Sequence, residues 1–516
     1  MPSKDSVDLV IEPRWVLPIA PANTVLADHA VAVTAGRIVA VAPTEQINAS
    51  YEPRERVVRS DHALLPGFVN AHTRAATTLL RGLPVYGPRS QWMRETVLPV
   101  ARTCMSPDFV REGTQLALAE MLRAGITAFS DMYLFPEEVA RAASAARMRA
   151  AIGLPVTEGP TVWAETATGH LAKAEQLWDE YRSHPGVSLY FAPHSAFGEG
   201  DQTLARVRRV ADELDARVAM YLAPGEVLGR SPLLRLKELG LLAPGFTAVQ
   251  LAGLDEEELE IAATTGVCVV ACQQSHLRLG GGLCPVAEFE ARGVTVGLGT
   301  DSALSVGALD VLGEARMVAL TARLARGAGG ARAAGGLLGG VIGAAGNSVA
   351  AGGWHGSGLV GVRDGTSRGD ETGREMRDET RAVADARGRA SGVERSAERH
   401  AVDAGAERFD GVSAETALRL ATLGGATAIG MGAVVGSIEV GKAADLVCFD
   451  LSTLPCQAPR RPADAIVFAA TRDQVSDVWL SGRAAVANGH LLTFDEQELG
   501  AMARRWAERI STGVKA

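Results

Sequence analysis

The side chains best suited to chemistry in this sequence stand at the ends of short apolar runs. His72 ends the run LLPGFVNAH, His194 follows FAP, and Asp301 ends VTVGLGTD. Cys272 and His276 follow the run VCVVA in the same way. Imidazole, thiolate and carboxylate groups hold divalent metals and transfer protons. If the run ends meet in space, metal-assisted or acid–base chemistry is the function to consider.

Helices and strands that could bring these side chains together are evident in the middle of the chain. Amphipathic stretches alternate with short apolar runs, as in LARVRRVADELDA before RVAMYL and VAEFEARG before VTVGLGTDS. This alternation is typical of a parallel α/β fold. A TIM-type (β/α)8 barrel fits the roughly 250 residues concerned, and its strand ends would converge on one mouth. An open doubly wound sheet is the alternative, although no GxGxxG motif follows an early strand.

Both chain ends show the two-residue alternation of β-strands. Residues 8–66 contain several such runs, and matching runs occupy 438–452 and 475–492. We therefore predict one β-sandwich built from both ends and flanking the barrel. The predicted divisions are 1–65 for the first part of the sandwich, 66–326 for the barrel, 327–410 for an insertion, 411–433 for a terminal barrel helix, and 434–516 for the second part of the sandwich with a C-terminal helix.

The predicted insertion has an unusual composition. Residues 327–365 contain 15 glycines in 39 positions, and residues 366–410 contain 20 charged residues in 45 with one aromatic, Phe409. Neither half can bury enough apolar surface to offset its ordering entropy. We predict a long flexible insertion, with solvated helix in places. A regular helix is predicted to resume over 412–431, with Ser413 as its N-cap.

Charge and cysteine usage exclude several classes of protein. The 51 basic and 60 acidic side chains give a formal charge of −9, which argues against a nucleic-acid surface that depends on net positive charge. Six scattered cysteines do not form a secreted disulfide framework, so we expect buried thiols. The N-terminal residues do not resemble a signal peptide, and no run reaches the ~18 apolar residues of a membrane span. We expect a cytoplasmic protein with no nucleic-acid or membrane partner.

Several longer motifs carry a family resemblance. They include MLRAGITAFSDMYLFPEEVARAA, FAPHSAF, LCPVAEFEARGVTVGLGTDS, LATLGGATAIG and GSIEVGKAADLV. In these stretches the chain resembles the amidohydrolase superfamily, in the branch of triazine hydrolases and methylthioadenosine/S-adenosylhomocysteine deaminases. The resemblance covers nearly the whole chain outside 327–410.

The resemblance implies a fold and a chemistry. The fold is a (β/α)8 barrel flanked by a β-sandwich, and the chemistry uses one divalent ion, zinc or iron, to activate water against a C–N carbon. Its ligands are two histidines spaced two apart on the first strand, a histidine on the fifth and an aspartate on the eighth. His72 and Asp301 match two of these metal positions, and Asp301 also matches a catalytic position.

Most other expected groups are replaced in this sequence. The replacements are Arg74 and Tyr221 at two histidine ligands, Pro224 at an acid–base glutamate, and Gln250 and Ala271 at two further histidines. An arginine is a permanent cation that cannot coordinate a metal. Two remaining ligands beside it would hold an ion weakly, so no cofactor is assigned. We hypothesise instead that Arg74 pairs with Asp301.

Other residues at the mouth have two interpretations each. Trp92 and His194 match positions that the family uses near substrate, but Trp92 also suits the core and His194 also suits a hydrogen-bonded strand end. Glu226 is an alternative carboxylate for the position of Pro224. A rebuilt site using His72, Cys272, His276 and Asp301 is a further alternative.

Three functions remain open from the sequence. The first is a degenerate amidohydrolase that has lost deaminase chemistry and still binds a purine-like or other small-molecule ligand. The second is an active C–N hydrolase with a rebuilt or metal-free site. The third is a non-catalytic partner subunit of an active paralogue. We also expect a homo-oligomer.

Overall fold

The computed structural model describes residues 4–85, 89–222, 231–333, 411–457 and 459–513. Pro224, Glu226 and all of the predicted insertion from residue 334 onward lie outside the described residues. The described part of the chain contains no helix long and apolar enough to cross a membrane. All six cysteines are buried and none forms a disulfide, as predicted.

The strands of the described residues are numbered β1 to β17 along the chain. They are β1 (Asp5–Val16), β2 (Leu26–Ala27), β3 (His29–Thr34), β4 (Arg37–Pro43), β5 (Tyr51–Pro66), β6 (Phe68–Thr73), β7 (Ile126–Asp131), β8 (Arg149–Val156), β9 (Val187–Pro193), β10 (Arg217–Tyr221), β11 (Phe246–Val249), β12 (Cys268–Ala271), β13 (Val296–Leu298), β14 (Leu446–Asp450), β15 (Val475–Leu480), β16 (Arg483–Ala487) and β17 (His490–Leu491).

One nine-stranded sheet unites the two chain ends. Its order is β17-β16-β15-β14-β5-β1-β3-β4, with β2 paired to β1. The N-terminal and C-terminal parts meet where β5 pairs antiparallel with β14, with Pro66 opposite Leu446. Alternate residues of β1 pack into different apolar clusters, Leu9 and Ile11 in one and Val10 in another. This two-residue period is the pattern that predicted the strands.

Eight parallel strands form the barrel in the order β6 to β13. The ring is nearly closed by a bridge between Thr73 and Asp301, where the Asp301 N–H donates to the His72 carbonyl at 3.0 Å. Gly299 permits this close approach, because a Cβ at that position would lie 2.8 Å from the backbone nitrogen of His72. The predicted (β/α)8 architecture is therefore confirmed.

Helices cover the outside of the barrel and link its strands. The α-helices are Thr44–Ser50, Arg89–Trp92, Leu98–Cys104, Pro107–Arg123, Pro136–Ala146, Ala167–Tyr181, Asp201–Glu213, Pro232–Glu238, Glu256–Thr265, Gln273–Arg278, Val286–Ala291, Ala303–Val306, Val311–Ala333, Ala414–Arg419, Gly425–Ala428, Pro462–Asp464 and Glu496–Gly513. π-helical turns occur at Met93–Val97, Leu420–Gly424 and Ala465–Ala469, and 3-10 turns at Ala75–Leu80, Leu454–Cys456 and Arg472–Gln474.

Two helices can be compared with boundaries that the sequence predicted. The helix Val311–Ala333 continues past residue 327, where the insertion was predicted to begin. Alanine and arginine have high helix propensity, which offsets the low propensity of the glycines in the last turns of this helix. The helix predicted over 412–431 begins at Ala414, and the Ser413 hydroxyl caps it by accepting from the Thr416 N–H at 3.2 Å. A π-helical turn at Leu420–Gly424 interrupts it.

Candidate functional site

Residues at the metal-ligand and further histidine positions that the resemblance implies lie at the same end of the barrel. His72 lies in β6, Tyr221 ends β10, and Ala271 ends β12. Gln250 directly follows β11, and Asp301 follows β13. The parallel strands bring these chain-distant positions to one mouth, as the apolar runs predicted.

Asp301 is the centre of the polar cluster at this mouth. Its Oδ2 accepts hydrogen bonds from Gln250 Nε2 at 2.9 Å and from Ser275 Oγ at 2.7 Å. Its Oδ1 is buried and accepts no hydrogen bond from any described residue. His72 Nε2 lies 3.6 Å from this oxygen and Arg74 Nε lies 3.8 Å from it. One carboxylate oxygen is therefore saturated, and the other faces two nitrogens just beyond hydrogen-bond length.

These neighbours keep Asp301 ionised. Burial alone raises the pKa of its carboxyl, but His72, the positive charge of Arg74 and the Ser275 hydroxyl outweigh burial and bring the pKa below its usual range. His72 is fully buried, and burial lowers the pKa of its imidazole despite the nearby carboxylate. The mouth thus holds a carboxylate, a guanidinium and a neutral imidazole.

Tyr221 supports two guanidinium groups. The Cζ atoms of Arg74 and Arg89 lie 5.2 Å and 4.8 Å from the centre of its ring, within range of cation–π attraction. The Tyr221 hydroxyl donates to Gln250 Oε1 at 2.6 Å, and Gln250 in turn donates to Asp301. The two replacements at positions 221 and 250 therefore form one hydrogen-bonded chain that ends on the remaining carboxylate.

Few side chains suited to bind a divalent ion converge at the mouth among the described residues. A catalytic zinc has three protein ligands and a water. Two buried polar atoms without hydrogen bonds face each other here, His72 Nε2 and Asp301 Oδ1. No group of three or more His, Cys, Asp or Glu side chains in the described ranges is arranged to hold a metal. The guanidinium of Arg74 stands beside these two atoms.

The alternative site with Cys272 and His276 is not assembled either. His276 lies in the helix Gln273–Arg278 and is buried, and neither of its ring nitrogens has a hydrogen-bond partner in the part of the chain that the structure describes. Burial lowers the pKa of His276 to about 4. Burial also raises the pKa of Cys272 well above its usual value, so this side chain stays a thiol. These two residues do not complete a metal centre with His72 and Asp301.

A cavity of about 600 Å³ opens above the polar cluster. Arg74 and Asp301 line its inner end, and both predicted substrate-binding residues, Trp92 and His194, line its walls. Trp92 is nearly buried and its Nε1 donates to the Pro84 carbonyl at 3.0 Å. Trp92 therefore belongs to the core and to the cavity wall at the same time.

His194 is exposed within this cavity. Enclosure by the cavity walls, with the positive charges of Arg74 and Arg89, lowers the pKa of its imidazole. It is therefore a neutral hydrogen-bonding group at neutral pH. Its backbone N–H donates to the Val156 carbonyl at 3.1 Å, so it is also held at a strand end.

The structure adds site residues that the sequence did not single out. Asp131 ends β7, and its Oδ1 accepts from the Ala75 N–H at 2.6 Å. Burial raises the pKa of Asp131 to about 7, although the Ala75 N–H and Arg74 both lower it. Its position at the end of the run ITAFS was a usable signal. Arg89 and Ser275 lie outside the apolar runs, so no periodic pattern in the sequence indicated that they belong to the site.

Comparison with known proteins agrees with this architecture. The model of the amidohydrolase family matches residues 63–337 and 386–485. A 5-methylthioadenosine/S-adenosylhomocysteine deaminase of Teredinibacter turnerae is 31% identical over 99% of both chains. A protein of the same name from Saccharophagus degradans is 30% identical over 99% of this chain and 98% of its own length.

Two solved structures share the fold. An adenosine deaminase from Xanthomonas campestris with bound zinc has a TM-score of 0.81 and 34% identity, covering 99% of this chain and 100% of its own. An atrazine chlorohydrolase from Arthrobacter aurescens, also with zinc, has a TM-score of 0.75 and 19% identity, covering 97% and 100%. Because the family model matches well over half of the sequence and the barrel carries its aligned positions at one mouth, the chain belongs to the amidohydrolase family.

Proposed function

We propose that this protein is a metal-independent binding protein built on a hydrolase barrel. In this proposal the cavity above Asp301 binds a small organic molecule, and the hydrolytic deamination associated with relatives is lost. The observation that carries the proposal is the guanidinium of Arg74, 3.8 Å from the open oxygen of Asp301.

Electrostatics supports this assignment. A divalent ion bound to Asp301 Oδ1 would lie close to the guanidinium of Arg74. Repulsion between a double and a single positive charge about 4 Å apart is on the order of 8 kcal/mol at an effective dielectric constant of about 20. Complete structural zinc sites bind with about 10–16 kcal/mol. A site with only two protein ligands has a smaller binding free energy than a complete site. A repulsion of this size is therefore enough to prevent a divalent ion from binding tightly.

The groups that would move protons are also replaced. Gln250 cannot take up or release a proton at any ordinary pH. Burial raises the pKa of the Tyr221 hydroxyl far above neutrality, so it remains a hydrogen-bond donor. Both side chains hold Asp301 in place instead. Hydrolysis of a C–N bond needs a base for water and an acid for the leaving amine, and neither residue can supply one.

The cavity supports retained binding. Its volume lies within the ~300–1,000 Å³ range of small-molecule sites, and its walls combine apolar side chains with a few convergent polar groups. The curated relatives that match the whole chain carry names of enzymes acting on nucleosides. These names support our proposal that the cavity of this chain still binds a small organic molecule.

An active C–N hydrolase is the second candidate. Whole-length similarity to proteins named as deaminases favours it. Asp131 also favours it, because a buried carboxyl beside the mouth with a pKa of about 7 has the proton affinity of a general base. Its Oδ1 already accepts from the Ala75 N–H, which reduces its freedom to accept a proton from substrate water.

An ammonia-release assay distinguishes the two candidates. The full chain is incubated with adenosine, 5-methylthioadenosine and S-adenosylhomocysteine, with zinc supplied in excess, beside the variant Asp301→Ala. We expect release at the background rate from both proteins with all three nucleosides. Release by the wild-type chain that Asp301→Ala abolishes would establish the hydrolase and overturn the proposal.

A further inference from the structure

We propose that the ligand of this cavity is an amphipathic carboxylate, an apolar molecule that carries one negatively charged head group. The head would lie between the guanidinium groups of Arg74 and Arg89, and the apolar body would lie along the cavity wall. This inference deepens the proposed function and rests on it, because a divalent ion at Asp301 would change the charge of the same end of the cavity.

The charges that line the cavity give the first reason. Arg74 and Arg89 contribute two positive charges at the inner end, and the exposed Arg102 adds a third positive charge elsewhere in the lining. Asp301 is the one carboxylate lining the cavity among the described residues. Arg74, Arg89 and Asp301 therefore give the inner end a net charge of about +1 when His194 is neutral. A single carboxylate would neutralise it, whereas a cationic ligand would add to the repulsion.

Unsatisfied hydrogen-bond donors give the second reason. Neither Arg74 nor Arg89 donates a side-chain hydrogen bond to any residue within the described ranges, and no described carboxylate lies within 4.0 Å of Arg89. Arg149, by contrast, donates to Asp445 at 2.7 Å and to Ser481 at 2.9 Å. A guanidinium has five N–H donors, and donors enclosed in a cavity need an acceptor. The open donors at the inner end match the acceptors of a carboxylate.

The ring of Tyr221 gives the third reason. It contacts both guanidinium groups, at 5.2 Å for Arg74 and 4.8 Å for Arg89. The hydrogen bond from its hydroxyl to Gln250 restrains the ring. A planar guanidinium held in one place binds a carboxylate through two parallel hydrogen bonds, which fixes the orientation of the ligand. A restrained pair of guanidinium groups is thus better suited to a planar carboxylate than to a neutral group.

The remaining cavity wall suits an apolar body. Met93, Val97, Met132, Leu134 and Leu279 line it together with Trp92. Methionine side chains adapt to irregular apolar shapes, so the wall can accommodate ligands whose apolar parts differ in shape. The cavity thus has one cationic end and one apolar side, the complement of an amphipathic acid.

Calorimetric titration of the full chain with 4-phenylbutyrate tests this proposal, in buffer containing a chelator. The matched probes are 4-phenylbutanamide, which has the same body and a neutral head, and 4-phenylbutylamine, which has a cationic head. We expect the acid to bind at least about tenfold more tightly than the amide, and the amine to bind more weakly still. Absence of binding by the acid, or equal binding of acid and amide, overturns the proposal.

Variants locate the head group. Arg89→Gln and Arg74→Gln are each expected to weaken binding of the acid about tenfold and to leave binding of the amide within about twofold. Arg94→Gln is the matched control, because Arg94 is an exposed arginine nearby that does not line the cavity. Arg89→Gln removes no described contact except that with Tyr221, so it tests the site even if Arg74→Gln impairs folding. An equal loss with Arg94→Gln, or no loss with Arg89→Gln, contradicts the assignment.

Failure of this inference is distinguishable from failure of the proposed function. If the protein is metal-free and inactive but prefers the amide, only the choice of ligand is wrong. If binding of the acid disappears in chelator and one zinc per chain is found without it, the metal-independent function is wrong as well.

Discussion

The two ends of the barrel hold aspartate–arginine pairs of different quality. At the end where the strands begin, Arg149 Nε donates to Asp445 Oδ2 at 2.7 Å, and Asp445 Oδ1 accepts from the Ser481 N–H at 2.7 Å. At the mouth, Arg74 Nε lies 3.8 Å from Asp301 Oδ1, which accepts no hydrogen bond within the described chain. The first pair is complete, and the second leaves both partners open.

The difference indicates a structural contact at one end and fits the binding site that we propose at the other. Charges removed from water are stabilised only when hydrogen bonds satisfy them, so a complete pair such as Arg149–Asp445 joins the barrel to the nine-stranded sheet. A second complete pair, Arg59–Asp477, ties β5 to β15 within that sheet through two bonds of 2.7 and 2.6 Å. An incomplete pair that lines a cavity is suited to accept a further partner. The C-terminal mouth is also the end where barrel enzymes carry their active sites.

Breaking the complete pair should have the largest effect. Arg149→Met leaves the buried Asp445 without its cation, so we expect the free energy of unfolding to fall by about 3–5 kcal/mol. Urea denaturation followed by circular dichroism measures it. Arg182→Met is the control, because Arg182 is exposed and its ion pair with Asp179 spans 3.8 Å. A loss below about 1 kcal/mol for Arg149→Met would contradict the structural role.

Restoring ligands at the mouth should also have a large effect. The combined variant Arg74→His, Tyr221→His, Gln250→His and Ala271→His removes the cation and adds four donors at the strand ends. We expect the affinity for zinc to rise at least about a hundredfold, equivalent to about 2.8 kcal/mol. Competition with a fluorescent zinc chelator measures it. A folded variant that binds zinc no better than the wild-type chain would show that these positions do not converge on an ion.

Glu314 offers a buried carboxyl with no arginine partner among the described residues. Its Oε2 accepts from the Gln274 N–H at 3.2 Å, and burial raises its pKa to about 8 from an ordinary value near 4.5. Because the folded state holds the proton more tightly, the stabilisation is complete below pH ~4.5 and is lost as the pH rises through about 8.

We therefore expect the wild-type chain to lose about 3–4 kcal/mol more stability between pH 5 and pH 8 than Glu314→Gln does. The glutamine keeps an acceptor in the same place but does not ionise. Urea denaturation of both proteins across this range measures the difference. Parallel pH profiles would mean that Glu314 ionises freely in the folded state.

Breaking the incomplete pair should have the smallest effect on stability. Arg74→Met leaves Asp301 its two hydrogen bonds from Gln250 and Ser275 and its access to the cavity. We expect the free energy of unfolding to fall by about 1 kcal/mol or less. The measurement is the same denaturation assay as for Arg149→Met. A loss equal to that of Arg149→Met would make the mouth pair a structural contact and remove the contrast between the two ends.

The sequence could predict which site residues lie at the ends of strands. The apolar runs placed His72, Gln250 and Asp301 at ends of parallel strands, and parallel strands of a barrel end together. The opposite charges of Arg74 and Asp301 at that mouth made their pairing predictable as well.

Other contacts were beyond the sequence because they depend on loops. Arg89 and Ser275 lie outside the strands, and their contacts with Tyr221 and Asp301 join residues far apart in the chain with no periodic signal. The helix Val311–Ala333 extends past residue 327, where the high glycine content led us to begin the predicted insertion.

The metal content of the full chain, purified without chelator, tests the central claim most directly. Elemental analysis should find zinc and iron far below one atom per chain, while the four-histidine variant prepared in parallel gains zinc. One tightly held zinc or iron per wild-type chain, retained through dialysis, would contradict the account of Arg74 as the cation beside Asp301.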